Sequence, residues 1–386
     1  MLKCAVDHLR GDSVVTNTSR GTAAARVAVL ALAVAAYSPA GSEGKSPEQR
    51  RTACPTFQAP PPPSGAPPVT FATSVAASDT STSRVISPHG PQIRCGRVEV
   101  ETRRDVVYST PPSAQAALKM DVLVPETRGA KPLVVYFSGG GFIRSTKEAA
   151  PGHRTYVAEA GYVVASIQYR TIATGGTYGD AVADAKSAIR YLRAHAGRYG
   201  IDPGRVAVWG ESAGGYLAAM VGTTNGVDQF DVGGDLDQSS DVQAVIDQFG
   251  PSDLPRIGAD FDAAFQQMYS TPGSSTAQWV YGPGTTSSIT DDPGAVARAN
   301  PATYVDASDP AFLLFHGDDD RLVSPSQTLL VHDALRAGGV DSTRYVLRGA
   351  NHGDLSFIGD TESGIPWSTQ KVMGIMTKFL DKHLER

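Results

Sequence analysis

Five near-continuous apolar runs, at residues 133–137, 162–167, 206–209, 242–249 and 311–315, constrain this chain more than any other feature. A strand with one wet face alternates apolar and polar side chains, whereas a strand buried on both faces reads as an unbroken run. Helical patterns lie between the runs. Over residues 180–199, Val182, Ala185, Ala188, Ile189 and Leu192 form one apolar stripe, and Gly200 closes the helix. Further helices fit residues 213–221, 326–337 and 369–384. Alternation of this kind predicts an α/β fold with a mostly parallel sheet and helices on both faces. Upstream, residues 98–101, 105–109 and 118–124 read as short strands. The last alternates in period two through Leu118, Met120, Val122 and Val124, which predicts an antiparallel edge.

The 386 residues do not all belong to that unit. Nine of the 26 prolines fall between Pro55 and Pro91, in a Ser/Thr/Ala/Pro stretch with few large apolar residues. Such a stretch buries too little surface to offset its ordering entropy, so residues 41–95 are expected to be a disordered arm. Residues 96–386 are then expected to form one large domain around a single core. The longest uncharged apolar run, residues 27–36, follows Arg20 and Arg26 and is too short to span a bilayer. With small residues after it and Ser38-x-Ala40 as a cleavage site, residues 1–40 read as a secretory signal peptide. A start near Val14 or Val15 would give that signal ordinary length. Secretion makes a disulfide between Cys54 and Cys95 the expectation, closing the arm onto the domain edge. Cys54 follows Arg50-Arg51-Thr52-Ala53 rather than an apolar run, so no stable membrane anchor is expected there.

A net charge of −5 with no Lys/Arg run leaves no electrostatic footprint for nucleic acid or an anionic membrane. No Cys-x-x-Cys and no His/Cys cluster proposes a metal site. Residues 253–299 break the strand–helix rhythm with Pro/Gly turns and scattered aromatics (Phe261, Phe265, Tyr269, Trp279, Tyr281). A long irregular insertion in an α/β domain is usually a lid or pocket wall.

Gly210-Glu211-Ser212-Ala213-Gly214-Gly215 follows one buried strand and opens an Ala-rich helix. Gly-x-Ser-x-Gly at a strand-to-helix turn is a nucleophile elbow: the serine takes strained dihedrals, and small neighbours let strand and helix cross closely. The strand 133–137 ends in Ser138-Gly139-Gly140-Gly141-Phe142, where side-chain-free residues can aim N–H groups at one point. Gly140 and Gly141, with the Ala213 N–H as a third donor, are the expected oxyanion hole. A phosphate-cradling loop is disfavoured by the absence of Gly-Lys-Ser/Thr and GxGxxG spacing.

An acid and then a base should follow the elbow in chain order. The strand 311–315 leads into His316-Gly317-Asp318-Asp319-Asp320-Arg321-Leu322-Val323. Asp320 is preferred as the acid because it precedes apolar residues that re-enter the fold, leaving Asp318 and Asp319 as turn formers. Of the histidines after Ser212, His316 is expected to shape a turn, His332 lies inside a helix and His383 sits in solvent near the chain's end. His352, in Gly349-Ala350-Asn351-His352-Gly353 after the strand 344–347, is the one placed to approach a nucleophile from the sheet's edge. Asn351 is expected to orient that loop.

These motifs together resemble the α/β-hydrolase superfamily on its esterase/lipase side. The run Ile201-Asp202-Pro203-Gly204-Arg205-Val206-Ala207-Val208-Trp209-Gly210-Glu211-Ser212-Ala213-Gly214-Gly215 is similar to the serine motif of carboxylesterases. It is closer to hormone-sensitive-lipase-like and feruloyl-esterase-like relatives. Gln168-Tyr169-Arg170, Asn300-Pro301-Ala302 and His316-Gly317-x-x-Asp320-x-x-Val323 extend the match over residues 98–384. The resemblance implies an eight-stranded core with the insertion after strand 6, a Ser212–Asp320–His352 triad, and ester hydrolysis without a cofactor. One departure is Ser138, where the lipase-like branch usually carries a supporting histidine.

The expected function is that of a secreted serine esterase acting on short-chain carboxylic esters, free or borne on a polymer. Its nearest alternatives on the same fold are an amidase such as an aryl formamidase and a prolyl-oligopeptidase-type peptidase. No propeller domain precedes the body, which argues against the peptidase. A non-catalytic binding module is the remote alternative, because a binder has no need of Ser, Asp, His and Gly positions all intact.

Overall fold

The computed structural model describes residues 52–57, 70–356 and 360–385. The expected signal peptide, and residues 41–51 and 58–69 of the expected arm, lie outside them. Nine strands make the main sheet: β1 Arg84–Ile86, β2 Val100–Ser109, β3 Leu118–Pro125, β4 Lys131–Phe137, β5 Val163–Ile167, β6 Ile201–Glu211, β7 Ala244–Gln248, β8 Ala311–Gly317 and β9 Ser342–Leu347. Their order across the sheet is β1-β9-β8-β7-β6-β4-β5-β3-β2. From β1 to β5 all neighbours are parallel. β3 and β2 complete an antiparallel edge.

The unbroken apolar runs sort by alternate residues into two cores. In β4, Leu133, Val135 and Phe137 enter one layer, with Ile189 and Leu192 of helix α2 (Tyr178–Ala194) and Leu217 of helix α3 (Ala213–Thr223). Val134 and Tyr136 enter the other layer, with Val157 of helix α1 (Pro151–Glu159) and Met373 and Met376 of the C-terminal helix Gln370–His383. Every residue of β4 is buried, so both faces demand apolar side chains.

The structure changes three expectations. Residues 98–101 and 105–109 are not two strands but parts of β2, joined by a register shift between Arg103 and Val106. The left-handed Asp105 (φ 55°) makes the bulge, and its N–H bonds Asp121 Oδ1 at 2.9 Å. The expected arm is ordered over residues 70–95. Residues 84–86 pair in parallel with Tyr345, Val346 and Leu347, adding a ninth strand to the expected eight. Ala72 is buried against Phe261 and Phe265. Backbone pairing and a few small side chains suffice there, because the surface they cover already exists. At the start of the segment, Thr52–Ala53 pairs antiparallel with Arg94–Cys95 and the Cys54–Cys95 disulfide is formed. The Pro55 carbonyl then lies only 2.8 Å from where a Cβ on Gly152 of α1 would stand.

The third change concerns residues 253–299, which are not irregular. They contain helices α4 Ala263–Ser270, α5 Ser275–Tyr281 and α6 Pro293–Arg298. Side chains of Asp262, Ser274 and Asp292 cap these by accepting from Phe265, Ala277 and Ala295 N–H groups. The insertion touches both sides of the strand ends. Trp279 stacks on Phe142 with centroids 4.8 Å apart, and the Tyr269 hydroxyl donates to Leu322 O at 2.7 Å.

Candidate active site

Strand β6 delivers Ser212 to a turn so tight that its φ is 56° and its ψ −122°. For a non-glycine residue this costs about 1–3 kcal/mol and persists only where the surroundings impose it. Here they do. A Cβ on Gly210 would sit 1.9 Å from Gly214 O, and one on Gly214 would sit 2.1 Å from Phe137 O. The Ser212 N–H is tied to Gln248 O on the neighbouring strand at 2.9 Å.

His352 follows β9 in a short turn, with its ring edge-on to Phe249 at 4.8 Å. Its Nε2 lies 2.8 Å from Ser212 Oγ and its Nδ1 2.7 Å from Asp320 Oδ2. Asn351 Oδ1 accepts from the His352 N–H at 2.8 Å and the Arg321 N–H at 3.2 Å, so one amide aligns the two loops as expected. Asp320 is fully buried after β8, with Oδ1 accepting from the Leu322 and Val323 N–H groups at 2.9 and 3.0 Å. Burial alone would raise its pKa. The facing His352 and hydrogen bonds from His316 and His352 outweigh burial and hold the carboxyl well below the usual range. Of its neighbours, Asp318 accepts from the Gly349 N–H and Asp319 pairs with Arg321, so Asp320 is the member of the run that meets the imidazole.

Two of the other histidines after Ser212 fall away from the site. His332 bridges Ser342 and the Thr82 carbonyl. His383 is not freely solvated but mostly covered, against Phe379 with centroids 4.6 Å apart. His316 is fully buried and bonds the loop it ends, with Nε2 3.0 Å from Val323 O.

The glycine loop stands against the serine: a Cβ on Gly139 would lie 3.1 Å from Ser212 Cβ. Gly140 (φ 151°) and Gly141 (φ 61°) adopt conformations that favour glycine, and Gly140 O accepts from Ile143 and Arg144 N–H groups to close the turn. Among the described residues, the N–H groups of Gly140, Gly141 and Ala213 donate to no protein acceptor. Ser138, where the resemblance to the lipase-like branch would place a histidine, supports the loop through its own groups. Its Oγ accepts from the Thr146 N–H at 2.9 Å and its carbonyl from the Tyr169 hydroxyl at 2.7 Å.

Two neighbours of the site were not read from the sequence. Phe249 packs beside His352 from a left-handed conformation (φ 47°) at the end of an apolar run, and nothing local marks that backbone. Beneath the elbow, Asp247 is fully buried; burial pushes its carboxyl up to about 7, against one hydrogen bond from the Gly250 N–H.

A mostly parallel sheet carrying a strained serine, a carboxylate and a histidine on the loops after β6, β8 and β9 is an α/β-hydrolase fold. A truncated carbohydrate esterase from gut microbiota shares it with TM-score 0.63 and 24% identity, over 74% of this chain and 97% of that one. A thermophilic esterase, Est2 of Thermogutta terrifontis, matches with TM-score 0.56 and 26% identity over 74% of this chain and 92% of that one. The BD-FAE family model matches residues 120–335, and the chain belongs to that family. Among curated proteins it is similar to the probable isoprenylcysteine alpha-carbonyl methylesterase ICMEL1 of Arabidopsis thaliana. The two are 27% identical over 68% of this chain and 53% of the relative. The chain spans about half the length of the curated relatives it matches.

Proposed function

We propose that the protein is a secreted serine esterase that hydrolyses short-chain carboxylic esters through an acyl-enzyme. The observation that carries this reading is the unbroken Ser212–His352–Asp320 relay, at 2.8 and 2.7 Å, on an elbow that holds the serine in strained dihedrals. Ser212 Oγ attacks the ester carbonyl while His352 Nε2 takes its proton, and Asp320 holds the imidazolium that results. The developing oxyanion is received by the N–H groups of Gly140, Gly141 and Ala213. His352 then gives its proton to the departing alcohol. Water, deprotonated by His352, attacks the acyl carbon and releases the acid and Ser212.

The comparisons support the same chemistry. ICMEL1 is named a methylesterase, and Est2 of Thermogutta terrifontis has been solved phosphoramylated by tabun and with butyrate bound. The insertion's helices have only 8, 7 and 6 residues, which favours a pocket for short acyl groups over a long apolar lid. Export rests on the apolar run at residues 27–36, and the Cys54–Cys95 bridge favours an oxidising compartment.

The test is hydrolysis of p-nitrophenyl acetate, butyrate, octanoate and dodecanoate by the full chain beside Ser212→Ala. Turnover should fall with chain length, and the variant should lose at least ~10⁴-fold in kcat with its circular dichroism intact. Wild-type turnover by the variant would refute the scheme. A folded protein inert to every ester would favour the amidase alternative.

A further inference from the structure

Asp320 Oδ2 faces two imidazoles. Besides His352 Nδ1 at 2.7 Å, His316 Nε2 stands 3.2 Å from it. The surroundings of His316 determine where its proton resides. Nε2 also lies 3.0 Å from Val323 O, so both of its neighbours are acceptors and Nε2 must carry a hydrogen. Nδ1 lies 2.9 Å from Thr328 Oγ1, on helix α7 (Ser326–Ala337). That hydroxyl in turn receives Arg344 Nε, from β9, at 3.0 Å. A guanidinium can only donate, so the Thr328 hydroxyl spends a lone pair on Arg344 and turns its own hydrogen toward His316 Nδ1. Arg344 is itself fixed, donating to Ser83 Oγ at 2.8 Å and Pro325 O at 2.6 Å.

We propose that His316 is a positioning residue for the catalytic carboxylate, a neutral imidazole protonated on Nε2 that steadies Asp320, with Arg344 and Thr328 setting its tautomer. The proposal rests on the triad reading above. Its consequence is chemical as well as steric. Three donors hydrogen-bond Asp320, two loop amides on Oδ1 and His352 Nδ1 on Oδ2, and the His316 Nε2–H, shared with Val323 O, adds a fourth contact at 3.2 Å. The carboxylate therefore cannot swing away when His352 gains its proton. Its charge is also shared, which tempers the basicity it confers on His352. A second imidazolium beside Asp320 would cancel that charge, so His316 must stay neutral. Complete burial, the largest influence, opposes its protonation, and the positive Arg344 adds to that, while Asp320 and Val323 O pull the other way. The charged groups facing His316 are Asp320 from its own loop and Arg344 from β9, the latter balanced at longer range by Asp333, Asp260 and Asp79. From α7 comes only the uncharged Thr328 hydroxyl.

The variants His316→Leu and His316→Gln separate this role from packing, because glutamine keeps an N–H able to reach Asp320 and leucine does not. His316→Leu should lose about tenfold in kcat, what one hydrogen bond to a charged acceptor is worth, with KM unchanged. It should also move the acid limb of kcat/KM up by ~0.5 pH unit, as the carboxylate acts undivided on His352. His316→Gln should recover most of both. A folded His316→Leu with wild-type kcat and pH profile overturns the inference, as does a glutamine variant no better than leucine. If the leucine variant does not fold, ¹⁵N-histidine spectra of the wild type decide. From about pH 5 to 9 one buried imidazole should keep Nε2 protonated and Nδ1 bare, and a titrating or Nδ1-protonated His316 refutes the assignment. Ser212→Ala measured alongside distinguishes the two failures: if it stays active the triad reading falls, and if it is inert while His316→Leu is unimpaired only this inference falls.

Discussion

Asp320→Asn changes one atom of the relay, and the surroundings determine which. Oδ1 of Asp320 accepts from two backbone N–H groups, Leu322 at 2.9 Å and Val323 at 3.0 Å. An asparagine amide must keep its oxygen there, because turning its NH₂ toward two donors would leave all of them unpaired. The NH₂ then replaces Oδ2 and meets His352 Nδ1, 2.7 Å away in the wild type. Nδ1 becomes an acceptor, the imidazole proton moves to Nε2, and Nε2 can no longer take a proton from Ser212 Oγ. The fold should tolerate this, since the volume is unchanged and the new amide loses only the contact with His316. Misplacing the base's tautomer in a serine hydrolase costs about 10⁴ in kcat, or about 5 kcal/mol of transition-state stabilisation. Binding should be spared, so KM for p-nitrophenyl butyrate should stay within about threefold while kcat falls. The assay is steady-state hydrolysis at neutral pH, with thermal melting to show that the variant is folded. A kcat loss below tenfold in a folded Asp320→Asn would refute the tautomer argument and with it the role given to Asp320.

Two further perturbations test the frame around the site. Replacing Cys54 and Cys95 together by serine removes a cross-link between residues 41 apart in sequence, for which loop-closure entropy gives about 4 kcal/mol. Chemical unfolding should show a loss of that order, and an unchanged midpoint would mean that the segment is held by its other contacts alone. Asp247→Asn tests the buried carboxyl beneath the elbow. Its pKa is raised from 3.8 to about 7, so between those values the native state holds a proton that the unfolded state has lost. Stability is therefore undiminished below about pH 4 and falls as pH rises through 7, by about 4 kcal/mol in all. The asparagine variant has no proton to lose, so it should gain on the wild type by that amount between pH 4 and 8 in urea melts. A stability difference independent of pH would refute the assignment of a neutral Asp247.

The parts of the site that were legible in the sequence share one property: each sits on a loop just past a strand whose last residues are buried. The runs ending at Trp209, Phe315 and Leu347 lead directly to Ser212, Asp320 and His352. A parallel sheet brings the ends of such strands to one edge, so adjacency in space follows from a pattern in sequence. The selection of Asp320 from three adjacent aspartates followed the same logic. Leu322 and Val323 re-enter the fold, and their N–H groups are the ones that grip Oδ1.

What was not legible depends on surfaces that exist only after folding. Strand β1 is three residues long with no apolar alternation to announce it; it exists because β9 offers an open edge. The insertion's caps at Asp262, Ser274 and Asp292 were written in the chain, but helices of 8, 7 and 6 residues carry too few turns for a periodic stripe. Trp279 illustrates the point most sharply. In sequence it is one aromatic among several in a Pro/Gly-rich region; in the fold it stacks on Phe142, which lies edge-on to Tyr216 of the helix that follows Ser212. The insertion therefore braces the glycine loop from one side while Tyr269 braces the acid loop from the other. A segment with the least secondary-structure signal thus touches both the glycine loop and the acid loop, and only its tertiary contacts reveal it.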